Sequence, residues 1–206
     1  MLEAEALACE RGDARLFSGL GFALGAGELL RVRGPNGSGK TSLLRILAGL
    51  TRQAAGAVRW RGAPIDALRD AYGREMLFIG HAPAVKDELT VDENLEIAAR
   101  LSHLDASVHA RRQALERLGI ARRAGLPARY LSQGQRRRTA LARLALAARL
   151  PLWILDEPFT ALDADAVECV RALAAAHLAA GGMLVLTSHQ EVEIGAGVAR
   201  DIRLGN

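Results

Sequence analysis

The stretch Gly34-Pro-Asn-Gly-Ser-Gly-Lys-Thr41 decides the fold of this chain. It matches the pattern GxxxxGK[ST], in which the glycines let backbone N–H groups point into one hollow of phosphate size. The stretch 28–33 before it predicts a strand, and 41–50 after it predicts a helix whose positive dipole end faces the hollow. Strand, glycine loop and helix in this order predict a binding site for nucleotide phosphates.

Two side chains of this loop have specific predicted roles. Lys40 reaches the β- and γ-phosphates as a compact cation, and Thr41 places its hydroxyl on Mg²⁺. Of the 27 lysines and arginines in the chain, only Lys40 and Lys86 are lysines, and a planar guanidinium does not match a compact ammonium at the phosphates. The other predicted nucleotide contacts are Gly34, Pro35, Asn36, Gly37, Ser38, Gly39 and Ser42.

A second apolar run, Leu152-Trp-Ile-Leu155, ends in the two carboxylates Asp156 and Glu157. Carboxylates at the end of a buried strand are costly unless they emerge beside cations. We expect Asp156 to hold Mg²⁺ and Glu157 to act as general base for a water that attacks the γ-phosphate. The alternative is a strand that merely ends at a polar turn, which Pro158 favours, but the phosphate loop upstream strengthens the catalytic interpretation.

The order of the predicted elements indicates an α/β fold with a largely parallel sheet. Short strands and turns are predicted over 3–33, and a long arginine-rich helical region over 91–150. The arginines of 111–123 and 136–149 are expected to form a solvated surface. Further strands are predicted at 57–60, 76–79, 152–155 and 183–187, with a helix over about 163–180.

The segment Leu131-Ser-Gln-Gly-Gln135 opens an arginine-rich helix. Taken alone, it also fits an ordinary helix capped by Ser132. Here the sequence resembles the ATP-binding cassette (ABC) ATPases, whose signature is LSGGQ, and the resemblance covers essentially the whole chain. Asp163, in Ala161-Leu-Asp163, is similar to the family's D-loop aspartate, and His189 to its switch histidine. The signature positions are Leu131, Ser132, Gln133, Gly134 and Gln135.

The resemblance implies a P-loop NTPase with a RecA-like parallel-sheet core, a small antiparallel β-subdomain and a helical signature subdomain. These would form one domain over 1–206, with the core and β-subdomain at about 1–80 and 151–206 and the helical subdomain at about 81–150. It also implies ATP hydrolysis with Mg²⁺. Two copies would meet head to tail, so that each ATP lies between the phosphate loop of one copy and the signature of the other.

Three positions depart from the family pattern. Gln133 replaces a glycine of the signature, and we expect the site to tolerate it. His81 stands at the glutamine of the Q-loop, where it would bond the attacking water or a metal-bound water. Arg11 stands near the usual adenine-stacking aromatic; it could stack on adenine, Phe17 could replace it, or Arg11 could simply be solvated.

Four segments together resemble one branch of the family, the ATP-binding subunits of the haem exporter in bacterial cytochrome c maturation. The resemblance implies catalytic roles for Glu157, His81 and His189, an integral membrane permease as partner, a haem-delivery complex, and a place on the cytoplasmic face of the inner membrane. Nothing in composition or spacing indicates haem. The segments are 80–90, 131–138, 156–163 and 186–190.

Length and composition exclude several alternatives. A chain of 206 residues, 50% hydrophobic and 24% charged, fits one folded domain. It lacks the roughly 20 consecutive apolar residues of a membrane span and the features of a signal peptide.

Two other functions stay open, an ATPase that energises a different exporter and a soluble cassette ATPase acting on DNA or ribosomes. The net charge of +4 gives the second some support. The chain has no room for a coiled-coil insertion or a second cassette, so we expect no nucleic-acid partner.

Overall fold

Strands and helices alternate along the chain. A computed structural model describes residues 1–12, 14–188 and 192–205. Its strands are β1 (Leu2–Arg11), β2 (Ala14–Leu24), β3 (Glu28–Arg33), β4 (Ala55–Trp60), β5 (Ala63–Pro64), β6 (Met76–Ile79), β7 (Leu152–Leu155), β8 (Met183–Thr187) and β9 (Val198–Arg203). Its helices are α1 (Lys40–Leu47), α2 (Ile65–Leu68), α3 (Asp70–Gly73), α4 (Val91–Leu101), α5 (Val108–Arg117), α6 (Gln133–Leu141), α7 (Arg143–Leu146) and α8 (Ala164–Ala179).

A parallel sheet in the order β6-β7-β8-β3-β9 carries the two strongest sequence motifs. Every residue of β7 and β8 is buried, as expected for strands covered on both faces. β8 pairs with β7 on one side and with β3 on the other. The phosphate loop after β3 and the carboxylates after β7 therefore emerge at the same edge, with one strand between them.

A second, antiparallel sheet in the order β2-β1-β4-β5 is formed by strands from residues 2–64. The prediction of short strands over 3–33 is wrong, because β1 and β2 run for ten and eleven residues. Gly19 and Gly21 lie inside β2 instead of ending it. Bulges between Ala4 and Cys9 interrupt the register without ending the pairing, and Ala6 there has a φ of 47°.

Four helices, α4 to α7, follow one another between β6 and β7. Thr90 caps α4 in a capping box with Glu93, and Ser107 caps α5, so side chains satisfy backbone donors at both helix starts. The proposed boundaries of a helical subdomain at 81 and 150 stay a prediction. No helix in the described part of the chain combines the length and the apolar character needed to cross a membrane.

Two arginines of the expected solvated surface are buried. Arg111 is 5% exposed and donates from Nε and Nη2 to the two carboxylate oxygens of Asp92, at 2.9 and 2.7 Å. Arg137 is 3% exposed. The expectation is wrong for both, because a guanidinium can be buried where oxygen acceptors fill its planar fork. Arg112 and Arg122 are exposed as expected.

Replacing Arg111 with alanine tests this buried pair. We expect Arg111→Ala to lower the free energy of unfolding by about 2 kcal/mol, less than for a fully buried pair because the Asp92 side chain is 34% exposed. Urea unfolding measures the change. Arg112→Ala, which removes only an exposed pair with Glu116, should cost at most about 0.5 kcal/mol. Equal losses in the two variants would contradict the assignment.

Candidate functional site

The phosphate loop turns sharply between β3 and α1. Gly34 and Gly39 have φ values of 148° and 95°, in the region that glycine favours. A Cβ on Gly34 would lie 2.5 Å from the carbonyl oxygen of Leu204 and 2.7 Å from Oγ of Ser38, so only glycine fits there. The first turn of α1 holds no acidic residue, which leaves its dipole free to attract an anion.

Lys40 lies over its own loop. Its Nζ donates to the carbonyl oxygens of Gly34 at 2.8 Å and Pro35 at 3.0 Å, and the residue is 9% exposed. These two acceptors are neutral, so a phosphate oxygen could replace either of them as a stronger partner for the ammonium. The structure therefore holds the cation beside the hollow where the sequence predicts phosphate.

Asp156 connects three elements at the sheet edge. It follows β7 and is 1% exposed. One carboxylate oxygen, Oδ2, accepts from Oγ1 of Thr41 at 2.8 Å, and the other, Oδ1, accepts from Oγ1 of Thr187 at 2.7 Å. The two predicted Mg²⁺ ligands, Thr41 and Asp156, thus lie in direct contact, and hydroxyl and carboxylate oxygens are donors of the kind that Mg²⁺ prefers.

Glu157 is held in an unusual backbone conformation. Its φ is 50°, which is uncommon for a residue other than glycine and recurs at functional sites. Its N–H donates to Oγ1 of Thr187 at 2.9 Å, and the residue is 8% exposed. Thr187 therefore fixes both carboxylate residues, one through a side-chain oxygen and the other through the backbone.

The signature begins helix α6. Oγ of Ser132 accepts from the N–H of Gln135 at 3.3 Å, and Oε1 of Gln135 accepts from the N–H of Ser132 at 3.0 Å. Ser132 is thus the helix cap of the alternative interpretation, yet it is exposed, as is Gln133. A Cβ on Gly134 would lie 2.7 Å from the carbonyl oxygen of Ala161, so this position needs glycine.

The signature helix is tied to the segment that resembles a D-loop. Arg138 donates to the carboxylate of Asp163, which caps α8 by accepting from the N–H of Ala166 at 3.0 Å. The guanidinium of Arg138, followed by the Ala166 bond, lowers the pKa of Asp163. Ser132, Gly134, Arg138 and Asp163 line one cavity of about 350 Å³.

The predicted adenine-stacking residues and the two predicted histidines lie in separate parts of the chain. Arg11 is exposed at the end of β1, whereas the half-buried Phe17 has a ring carbon 3.2 Å from where a Cβ on Gly39 would be. His81 is exposed at the start of the loop after β6. His189 lies outside the described residues.

Sequence reasoning missed two residues that contact the carboxylate segment. Thr187 was predicted only as the end of a strand, although a hydroxyl at the carboxyl end of the neighbouring strand was a usable signal. Arg137 was assigned to the solvated surface, yet its guanidinium donates to the backbone oxygens of Asp156 and Glu157. Its place two residues beyond the signature is the only sequence feature that sets it apart.

A glycine loop on a strand–helix turn, with carboxylates one strand away, defines a P-loop nucleotide-binding protein. Residues 17–160 match the model of the family described as ABC transporter, and the chain belongs to that family. It is therefore an ABC-type ATPase, and the fold class predicted from the sequence is confirmed.

Several curated relatives are similar over nearly their full length. The chain is 51% identical over 205 residues to the "Cytochrome c biogenesis ATP-binding export protein CcmA" of Dechloromonas aromatica, covering 100% of both chains. It is 46% identical over 204 residues to the protein of that name from Escherichia coli K12, covering 99% of this chain and 96% of that one. These relatives confirm the branch of the family that the sequence predicts.

Solved structures of the family superimpose well. One is a dimeric post-hydrolysis state of an ATP-binding cassette bound to ADP and Pi; it matches with a TM-score of 0.78 and 27% identity, covering 92% of this chain and 88% of that one. An ATP-binding subunit of an ABC transporter matches with a TM-score of 0.80 and 25% identity, covering 92% and 79%.

The position of Phe17 generates a test of the two adenine-stacking alternatives. We expect Phe17→Ala to raise the Kd for ATP by roughly tenfold, because loss of an aromatic surface costs about 1–3 kcal/mol per stacked base. Arg11→Ala should change it by less than about twofold, since Arg11 is exposed on the strand end. Calorimetric titration measures both. The opposite ranking would support Arg11 as the stacking residue.

Proposed function

We propose that this chain is the ATP-hydrolysing subunit of a transporter that serves cytochrome c biogenesis. It would energise either the export of haem or the release of a haem-loaded chaperone. The full-length similarity to proteins named CcmA supports the pathway. The contact of Thr41 with Asp156, beside Lys40 on the phosphate loop, is the structural observation that carries the ATPase mechanism.

ATP binding begins with the loop. Lys40 exchanges its two backbone acceptors for oxygens of the β- and γ-phosphates. The N–H groups of the loop and of the start of α1 donate to the remaining phosphate oxygens. Thr41 and Asp156 would hold the Mg²⁺ that accompanies ATP, and that ion would neutralise charge on the phosphates.

Hydrolysis needs a base that activates a water on the side of the γ-phosphate opposite the bond to the β-phosphate. A water oxygen attacks the γ-phosphorus, its proton passes to the Glu157 carboxylate, and the bond to the β-phosphate oxygen breaks with its electron pair leaving on ADP. The backbone of Glu157 is fixed by Thr187, which supports a defined position for this base. We assign His189 to the γ-phosphate and His81 to the attacking water.

The second half of each site comes from another copy of the chain. Ser132 and Gln133 are exposed at the start of α6, where a helix N-terminus attracts anions. In the proposed head-to-tail homodimer they contact the γ-phosphate of the ATP held by the partner's loop. The similar cassette solved as a dimer with ADP and Pi supports this arrangement.

The chain would work with a membrane-embedded permease. We propose that it sits at the cytoplasmic face of the inner membrane, bound to this partner and through it to a haem-delivery complex. The name of the relatives, which describes an ATP-binding export protein, supports such an assembly. Closure of the ATP-bound dimer of this chain would then drive a conformational change in the permease.

Glu157→Gln tests the base. We expect this variant to bind ATP normally, to lose at least about a hundredfold in kcat because no general base remains, and to accumulate as an ATP-bound dimer. Phosphate release and light scattering after gel filtration measure the two effects. Lys40→Ala should instead lose nucleotide binding. Unchanged hydrolysis by Glu157→Gln would remove Glu157 from its role.

A deletion strain tests the pathway. Without the gene for this chain we expect c-type cytochromes to lack covalently attached haem, as measured by haem staining of gels. The wild-type gene should restore them and Glu157→Gln should not. Normal cytochromes c in the deletion strain would contradict the proposed pathway and favour a different exporter.

A further inference from the structure

Arg137 joins the signature helix to the two segments that carry the chemistry. It lies on α6, and its guanidinium donates to four backbone carbonyl oxygens. Nη1 donates to Gly80 at 2.9 Å and to His81 at 3.2 Å, and Nη2 donates to Asp156 at 2.8 Å and to Glu157 at 2.7 Å. Every one of these acceptors belongs to a segment that leaves the parallel sheet.

The four acceptors come from two neighbouring strand ends. Gly80 follows β6 and Asp156 follows β7, and these strands pair in register, with Ile79 opposite Leu155. The N–H of Asp156 already donates to the carbonyl oxygen of Ile79 at 2.8 Å, so the strands remain joined where they end. Just beyond this bond, where the two chain segments leave the sheet, Arg137 joins them through its own hydrogen bonds. A shift of α6 would therefore move both segments together.

Burial removes the Arg137 guanidinium from water, and the four carbonyl oxygens replace the water that Nη1 and Nη2 lose. Its Nε has no hydrogen-bond acceptor within the residues that the structure describes, although Arg137 is 3% exposed. An unfilled donor on a buried cation is destabilising, and such departures from good packing concentrate at functional sites.

A second link runs in parallel from the same helix. Arg138, the next residue of α6, pairs with Asp163 at the start of α8, and Gly134 packs against Ala161. One face of the signature helix thus contacts the D-loop segment, while Arg137 contacts the backbone of Asp156 and Glu157 and of the His81 segment. The start of α6 would meet the ATP of the partner. Through Arg137 and Arg138, the same helix is bonded to the segments that act on the chain's own ATP.

We propose that Arg137 is a positioning residue that couples the two ATP sites of the dimer. Contact of the signature with the ATP of the partner fixes α6, and Arg137 transmits that position to the backbone of Glu157 and His81, which act on the ATP of their own chain. This inference rests on the proposed function. Hydrolysis at one site then requires engagement at the other, so turnover depends cooperatively on ATP concentration.

Arg137→Gln in the full-length chain tests the coupling, with Arg111→Gln as the matched control. Both variants remove a buried arginine from the helical region, but Arg111 contacts Asp92 instead of the carboxylate segments. We expect Arg137→Gln to keep the Kd for ATP within about twofold, to lose at least about tenfold in kcat, and to lower the Hill coefficient from about 2 towards 1. Arg111→Gln should lower the melting temperature but leave kcat per folded molecule and the Hill coefficient unchanged.

Arg137→Lys keeps the charge and separates charge from geometry. A lysine ammonium has three donors and no planar fork, so it cannot hold all four carbonyls. We expect an intermediate kcat and partly restored cooperativity. This variant also carries the test if Arg137→Gln does not fold.

The outcomes separate the inference from the function on which it rests. Wild-type hydrolysis with an unchanged kcat and Hill coefficient in Arg137→Gln overturns the inference alone. An equal loss of kcat in Arg137→Gln and Arg111→Gln also overturns it, because the role would then be general stability. Absence of ATP hydrolysis by the wild-type chain overturns the proposed function, and the inference with it.

Discussion

The buried carboxylate of Asp156 is the constraint on which the site depends. At 1% exposure it would be costly without partners, and both of its oxygens accept from threonine hydroxyls, Thr41 at 2.8 Å and Thr187 at 2.7 Å. Through these bonds the start of α1 and the end of β8 are held against the end of β7. The phosphate loop and the carboxylates consequently keep one geometry before any nucleotide arrives.

The parallel sheet explains why the chemistry collects at one edge. All strands of this sheet end on the same side, so segments far apart in the sequence emerge side by side. The segments that leave the sheet have carbonyl oxygens outside its strand ladder, and Arg137 donates to four of them. The Arg137 side chain therefore attaches the signature helix to backbone atoms of the site, in addition to the packing contacts.

Local motifs explain what the sequence could predict. The phosphate loop, the carboxylates after an apolar strand and the signature are each contiguous, and their chemistry follows from residue type and spacing. The contacts of Thr187 and the burial of Arg137 join segments that are distant in the sequence. A hydroxyl at the end of a strand and an arginine just after the signature indicate a position near the site, but they do not identify the atoms contacted. An arginine run has the same composition whether it faces water or carbonyl oxygens, so the solvated interpretation was wrong for Arg111 and Arg137.

The most direct measurement is a crystal structure of the full chain with Mg²⁺ and a non-hydrolysable ATP analogue. We predict two copies head to tail, with each γ-phosphate between Lys40 of one copy and Ser132 of the other, and with Thr41 turned from Asp156 to the metal. A nucleotide contacted by one chain only, or a γ-phosphate away from Lys40, would contradict the shared site from which the mechanism follows.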